Sequence, residues 1–404
     1  MKLRTEWYLM SLELINHNSD LQQLLNEGYE VEFFNIYLII HHVPYVNDQK
    51  EIAYGTLVSK STLSGSSMKP ADHTVLWIGD FPCDYKGSRL LKLGDNKAQE
   101  KIREGLVATR MFSQKPKTPS AAYTNYHEKM TTYVRMMEGE ARAIDPNVTA
   151  KTFLPIQPTE EESVFRYLDT ASSRAGITSI NDKLKQDRIA IIGLGGTGSY
   201  ILDLIAKTPV GEIHLFDGDK FRNHNAFRSP GSPSYDELLN NTTKVERFTE
   251  IYSRMRRNII PHPYLIDESN IVELNAMDFV FLCVDKGEPR KLLVDYFIEN
   301  KIHFIDVGIG LINENNAITG LVRTTTYDPS SDNDISGKIP FGNNEDDEYS
   351  TNIQVADMNA LNAAFAVVQW KKICGFYHTI PNEHHTVYGI FTNTLTNDEV
   401  ENEA

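Results

Sequence analysis

The stretch Ile191-Ile192-Gly193-Leu194-Gly195-Gly196-Thr197-Gly198 is the most informative part of this sequence. It follows an apolar run typical of a buried strand and opens a pattern typical of an amphipathic helix. Glycines let the backbone turn tightly and approach a phosphate, and the helix N-terminus supplies N–H groups that bind anions. The stretch therefore predicts a phosphate-binding loop. The alternative is a glycine-rich turn that serves only packing.

Several charged residues follow this loop in the sequence, near the boundaries of the next predicted strands and helices. Asp217 ends the next strand, where a carboxylate can accept hydrogen bonds from ribose hydroxyls. Asp219 is a second candidate ligand or a residue of a surface turn. Arg228 and Lys244 are candidate phosphate-binding cations, although a surface ion pair and a solvated lysine are the alternatives. Asp285 is the candidate magnesium ligand, because Mg²⁺ prefers carboxylate oxygens.

The chemistry that this set favours is adenylation. Gly193, Gly195 and Gly198 alone also fit the NAD fingerprint, so a NAD-dependent Rossmann oxidoreductase is the first rival. Hydride transfer does not need the downstream cations and acid. An acyl-adenylate forms when a carboxylate attacks the α-phosphate of ATP and pyrophosphate leaves, which requires charge neutralisation around the triphosphate and a magnesium ion.

Strand and helix patterns alternate from residue 166 onward, which is typical of a doubly wound sheet. We predict an α/β, Rossmann-like, mostly parallel sheet over residues 161–395. Its strands are expected at 188–192, 212–217, 279–284, 302–307 and 318–327, and its helices from Thr197 and over 236–257, 288–300 and 356–373.

The first 160 residues predict a smaller α+β domain without a nucleotide motif, which we interpret as an accessory, partner-binding domain. Helices are expected at 12–28 and 123–142, and strands at 31–42, 52–59 and 74–78. A third feature is the polar segment 328–352, which has little apolar content and predicts a mobile crossover loop.

Composition excludes several classes of function. The chain has 404 residues, 41% hydrophobic and 24% charged, with a net charge of −15. The negative charge argues against non-specific nucleic-acid binding, and no apolar run is long enough to span a membrane. Without a signal-peptide pattern, the expected location is cytoplasmic. The cysteines, Cys83, Cys283 and Cys374, lie far apart, so no zinc site is expected.

The order of the motifs resembles the adenylation domain of the ThiF/MoeB/ubiquitin-activating (E1-like) superfamily. That pattern is a GxGGxG loop, an Asp-x-Asp strand end, an Asn-x-x-Arg, a lysine on the next helix and an aspartate after the following strand. The resemblance implies contacts with ATP for the loop glycines and the charged residues, and a magnesium ligand at the last aspartate. The matching residues are Gly193, Gly195, Gly196, Gly198, Asp217, Asp219, Asn225, Arg228, Lys244 and Asp285. Ser229 stands where the family usually has glutamine.

The resemblance also implies partners. Family members activate the C-terminal carboxylate of a ubiquitin-like protein, pass it to a conjugating (E2-like) enzyme and usually form homodimers. An upstream arginine, Arg166 or Arg174 here, reaches the neighbouring site. The N-terminal region looks like that of a bacterial branch from ubiquitin-like conjugation operons linked to phage defence. The alternatives are a small-molecule or peptide substrate, and a catalytically silent scaffold.

A nucleophile for a covalent step is the last expectation. Many relatives carry a cysteine before the last long helix, whereas residues 348–354 contain none. Ser350 is therefore the tentative nucleophile and Thr351 the second candidate, each needing a nearby base. The alternative is direct transfer of the adenylate to a partner enzyme.

Overall fold

The computed structural model describes residues 18–64, 67–94, 96–116, 122–154, 163–331, 335–342, 353–379 and 383–397. Its residues fall into two compact units. Residues Val164–Arg166 belong to the second unit, whereas Tyr167–Thr178 belong to the first. The chain therefore crosses from one unit to the other more than once near residues 163–179.

The first unit is an antiparallel sheet covered by helices. Its sheet has the strand order β1-β2-β3-β5-β7-β6, and β4 pairs with β3. The helices are α1 (Ser19–Asn26), α2 (Tyr126–Arg142) and the short α3 (Thr170–Arg174). The strands are β1 (Val31–Phe34), β2 (Tyr37–Val46), β3 (Ile52–Ser64), β4 (Ser67–Pro70), β5 (Thr74–Ile78), β6 (Asn96–Arg103) and β7 (Leu106–Ser113).

The core of the first unit lies between this sheet and α2. Asn125 caps α2 by accepting a hydrogen bond from the Glu128 N–H at 2.8 Å, which satisfies one of the free N–H groups of the first turn. Apolar residues of α2 recur at helical spacing and face the sheet, as the sequence pattern predicts. The largest fully buried apolar side chains of this core are Trp77, Phe112, Tyr126 and Tyr133.

Lys129 is a buried cation on the same helix. Its Nζ donates to Ser59 Oγ at 2.9 Å and lies 3.8 Å from Asp72 Oδ1. Burial lowers the pKa of Lys129 to about 8, and the nearby Asp72 charge only partly opposes this effect. Because the pKa is lower in the folded protein than in the unfolded chain, protonation favours unfolding. The contribution of Lys129 to stability therefore rises with pH between about 8 and 10.5.

Replacing Lys129 with methionine is expected to raise the free energy of unfolding at pH 7 by about 1–4 kcal/mol, because it removes a buried charge while filling a similar volume. The advantage over the natural protein should shrink towards pH 10. Urea unfolding at both pH values measures it, with exposed Lys101→Met as the control. A variant less stable than the natural protein at pH 7 would show that the Ser59 and Asp72 contacts outweigh the desolvation.

The second unit is an eight-stranded sheet with the order β10-β9-β8-β11-β12-β13-β14-β15. Strands from β10 to β12 pair in parallel, and those from β12 to β15 pair antiparallel. The strands are β8 (Arg188–Ile192), β9 (Glu212–Phe216), β10 (Ile259–His262), β11 (Phe279–Leu282), β12 (Phe304–Glu314), β13 (Ala317–Tyr327), β14 (His385–Gly389) and β15 (Thr394–Asn397).

Helices cover both faces of this sheet, which confirms the predicted Rossmann-like, doubly wound class with a smaller α+β unit before it. The helices from residue 178 onward are α4 (Thr178–Asn181), α5 (Gly196–Ile205), α6 (Asn223–Ala226), α7 (Tyr235–Leu239), α8 (Lys244–Tyr252), α9 (Gly287–Glu299) and α10 (Ala356–Ile373). Ile189, Ile191 and Ile213 face α5, α8 and α10, and Ala190, Val280 and Phe304 face α9. None of the helices in the described part of the chain has the length and hydropathy needed to cross a bilayer.

The predicted single helix over 236–257 is wrong, because the chain forms α7 and then α8 there. Asn241 adopts a left-handed conformation with φ 51°, which ends one helix, and Thr243 caps the next. The Thr243 side chain accepts from the Glu246 N–H at 3.2 Å, while the Glu246 carboxylate accepts from the Thr243 N–H at 3.0 Å. This capping box fixes Lys244 as the first residue of α8.

Part of the predicted crossover loop packs into the core. Ile335 and Ile339 are buried in the cluster beneath α9. Residues 332–334 and 343–352 of the predicted loop lie outside the described residues, so its predicted mobility stays a prediction.

Candidate functional site

Three loops converge at the carboxyl edge of the parallel strands. Ile192, the last residue of β8, pairs with Phe216 of β9 on one side and Leu282 of β11 on the other. The residues that follow these three strands are therefore neighbours. The glycine loop, Asp217 and the segment leading to Asp285 meet at one edge, which is where open α/β sheets bind ligands.

Packing accounts for three of the loop glycines, two against backbone atoms and one against a side chain. Gly193 has φ +91°, and a Cβ there would lie 2.7 Å from Cys283 O. A Cβ at Gly198 would lie 1.9 Å from Gly193 O, and one at Gly196 would lie 2.1 Å from the Asn359 side chain. The packing alternative raised from the sequence therefore accounts for these three positions, whether or not they also approach a ligand.

Gly195 is different. A Cβ there would meet nothing within 4 Å, and its φ of −72° is open to any residue. It forms the N-cap of α5, whose first N–H groups lack partners within the helix. A glycine that packing does not require, facing open space at a helix N-terminus, fits close approach of a phosphate.

Asp217 is a buried carboxylate that shapes the site. Its Oδ2 accepts from the Leu194 N–H at 2.7 Å, and its Oδ1 accepts from the Asp219 N–H at 2.8 Å. It therefore joins the glycine loop to the turn after β9. The residue is 5% exposed, so a ribose hydroxyl would reach only the edge of this carboxylate.

Lys244 is buried, not solvated as one interpretation of the sequence allowed. Its Nζ lies 3.2 and 3.1 Å from the two carboxylate oxygens of Asp217 and 2.8 Å from Asp219 Oδ2. The hydrogen bond from Lys244, together with the positive charges of Lys286 and Arg222, lowers the pKa of the Asp219 carboxyl. The ammonium is thus held between two acids at the sheet edge.

Arg228 carries the clearest sign of a missing partner. Its Nε is buried, and it has no hydrogen-bond partner among the described residues. Asn225 sets the turn that presents it, since Asn225 Oδ1 accepts from the Arg222 N–H at 2.9 Å and Asn225 O accepts from the Arg228 N–H at 3.1 Å. A buried, unsatisfied guanidinium N–H is costly, so an anionic ligand beside Arg228 would satisfy it.

Three cationic side chains lie near His224 at this edge. Burial, followed by the charges of Arg228, Lys244 and Arg222, lowers the pKa of His224, whose imidazolium would be a further cation among them. A triphosphate carries the opposite charge, so it would be drawn to this edge even though the whole chain is acidic.

Asp285 is an exposed residue in the short segment between β11 and α9. Among the described residues, no group of three or more histidine, cysteine, aspartate or glutamate side chains is arranged to hold a metal ion. Mg²⁺ commonly binds one or two carboxylates, with substrate phosphates and water completing its shell. A single carboxylate at this position fits that mode of binding, in which the nucleotide brings the ion.

Arg290 and Asp306 support this segment through buried contacts. Arg290 Nε donates to Val284 O at 2.9 Å, and its Nη1 donates to Pro340 O at 3.3 Å. Arg323 Nη2 donates to Asp306 Oδ2 at 2.5 Å, while burial raises the pKa of Asp306 despite its two arginine neighbours. These contacts fix the backbone beside Asp285. A lone arginine in the α9 helix and a lone acid in the apolar start of β12 were the only sequence signals for them.

Of the four remaining predicted residues, the structure describes two. Ser350 and Thr351 lie outside the described residues. The Arg166 guanidinium donates to Ser253 O in the second unit, and the Arg174 guanidinium donates to Asn26 O in the first. Both arginines are exposed.

The second unit is a doubly wound α/β fold of the Rossmann-like class, and comparison with known proteins assigns it further. Residues 171–397 match the ThiF family, and residues 19–170 match a domain of unknown function, DUF6791. The chain belongs to the ThiF family of E1-like enzymes, which confirms the resemblance seen in the sequence.

Individual relatives are distant. Ubiquitin-like modifier-activating enzyme 5 from Drosophila mojavensis is 26% identical over 168 residues, 38% of this chain and 40% of the relative. tRNA threonylcarbamoyladenosine dehydratase from Haemophilus influenzae is 30% identical over 128 residues, 31% of this chain and 49% of the relative. The chain thus spans less than half of the length of these relatives. A crystal structure of E. coli MccB with ATP has a TM-score of 0.45 and 18% identity, over 56% of this chain and 70% of MccB.

Proposed function

We propose that this protein uses ATP and Mg²⁺ to adenylate the C-terminal carboxylate of a ubiquitin-like protein and passes it to a conjugating, E2-like partner. The observation that carries the proposal is the buried Arg228 Nε, which lacks a partner among the described residues at the sheet edge. Open space at Gly195 lies at the same edge. Family membership and the relatedness to a ubiquitin-like modifier-activating enzyme supply the substrate class.

The proposed roles follow from the geometry. The glycine loop and the α5 N-terminus bind phosphates, Asp217 contacts ribose, and Arg228 and Lys244 neutralise the triphosphate as pyrophosphate leaves. Asp285 would hold Mg²⁺, which would supply Lewis-acid polarisation of the nucleotide phosphates when bound. Lys244 must share its charge between its two aspartates and the nucleotide, so binding should rearrange the Lys244–Asp219 contact.

The proposal also covers the oligomeric state of the protein and the pathway in which it acts. A homodimer in which Arg166 or Arg174 reaches the neighbouring site, and a role in bacterial antiphage conjugation, follow from the family resemblance. Sedimentation of the purified chain tests the first point. Loss of phage protection when Asp285 is replaced in the native operon tests the second.

ATP–pyrophosphate exchange tests the reaction itself. The purified chain is mixed with ATP, Mg²⁺, labelled pyrophosphate and a ubiquitin-like protein that ends in glycine and is encoded beside it. Label should enter ATP only with this partner, and not when its terminal carboxylate is replaced by an amide. Exchange with short peptides but not with the protein would move the assignment to a peptide-activating enzyme. Tight NAD binding without exchange would make it an oxidoreductase.

A further inference from the structure

Asn359 is a buried amide in the long helix that follows the crossover segment. It is 0% exposed and lies in the alanine-rich part of α10, where an apolar residue would be expected. Asn362, one turn later, is equally buried. Buried amides are retained only when their hydrogen bonds are made, so what each one binds indicates why it is there.

The two amides bind different parts of the second unit. Asn359 Oδ1 accepts from Thr197 Oγ1 at 3.0 Å, and Asn359 Nδ2 donates to Arg228 O at 3.4 Å. Asn362 Nδ2 donates to Gly308 O at 3.1 Å, and its Oδ1 accepts from Thr324 Oγ1 at 3.3 Å. Asn359 therefore contacts two segments of the candidate site, while Asn362 joins α10 to β12 and β13.

Asn359 also explains why position 196 is a glycine. This glycine has no positive φ, so its conformation does not demand glycine. A Cβ at Gly196 would lie 2.1 Å from Asn359 Nδ2 and 2.4 Å from its Oδ1. The second glycine of the Gly-Gly pair is therefore matched to a side chain of α10, while Gly195 is left open toward the ligand.

We infer that Asn359 is a positioning residue, which holds the glycine loop and the Arg228 segment in one fixed relation and couples α10 to the nucleotide site. The inference rests on the proposed function, because it assumes that the loop and Arg228 bind the same triphosphate. The loop supplies N–H groups and Arg228 supplies charge, and both must be in place before the α-phosphate reacts. A single amide that bonds to both fixes their spacing.

The test compares Asn359→Ala with Asn362→Ala. Both variants remove a fully buried, doubly bonded amide from one helix, so similar losses in urea unfolding midpoint are expected. Asn359→Ala should lower kcat/KM for ATP–pyrophosphate exchange by about 10- to 100-fold, with a weaker ATP affinity by calorimetry. Asn362→Ala should stay within about threefold of the natural protein. Equal kinetic losses in the two variants would overturn the inference.

A double-mutant cycle of Gly196 and Asn359 provides a second test. Its result, the ATP affinity, would not show coupling if Asn359 only stabilised the fold. Gly196→Ala alone should weaken ATP binding, because the added Cβ would lie 2.1 Å from Asn359 Nδ2 and would displace the amide. In Gly196→Ala/Asn359→Ala the clash is gone, so affinity should recover to near that of Asn359→Ala. Additive losses would overturn the inference. If the proposed function is wrong, the natural protein itself will show no exchange. That outcome differs from failure of the inference on Asn359, in which the natural protein is active.

Discussion

Replacing Asp285 with alanine is expected to abolish magnesium-dependent adenylate formation while the fold is retained. The site offers one carboxylate for a hard cation, so its loss leaves the ion with only phosphate and water ligands. Asp285 is exposed at a strand end, so its removal should change the urea unfolding midpoint little. ATP–pyrophosphate exchange across a magnesium titration measures the effect.

Glu288 offers a matched control for this variant. It is an exposed acid in the first turn of α9, three residues along the chain from Asp285, and Glu288→Ala makes the same change in net charge. Exchange by Glu288→Ala should be near that of the natural protein. If Asp285→Ala exchanges as fast as Glu288→Ala at every magnesium concentration, the metal assignment is wrong.

Arg228→Ala and Lys244→Ala should each slow adenylation by about 100-fold or more, the scale for losing one preorganised charge at a transition state. Their effects on stability should differ. The Arg228 Nε has no partner among the described residues, so its removal leaves no protein group unsatisfied. Lys244→Ala strips the buried Asp217 of its cation, and that variant should unfold at lower urea concentration.

Single-turnover adenylation and urea unfolding, measured on both variants, separate these effects. Arg254→Ala is the control, since this arginine is largely exposed and forms a surface ion pair with Glu250 one turn before it. Both site variants should retain some affinity for ATP through the glycine loop. An Arg228→Ala variant that adenylates at the natural rate would show that its unpaired guanidinium N–H does not serve the nucleotide.

Much of the second unit could be predicted from local sequence patterns. The predicted helix 356–373 has the same bounds as α10, and the predicted strand 188–192 has the same bounds as β8. The strand is a continuous apolar run after Arg188, and the helix is rich in alanine and valine, so both can be recognised from residues that are close together in the chain. The break between α7 and α8 was missed because it depends on one left-handed asparagine, whose cost is offset by the capping box at Thr243.

The sequence by itself determined the phosphate-loop pattern, the order of the charged motifs and the family, because each depends on neighbours along the chain. Only the tertiary structure decided what each charge faces. Lys244 is committed to Asp217 and Asp219, while the Arg228 Nε is left without a partner among the described residues. Gly196 is matched to Asn359, which lies far along the chain. Burial and pairing depend on segments brought together by the sheet, and residue spacing does not encode those contacts.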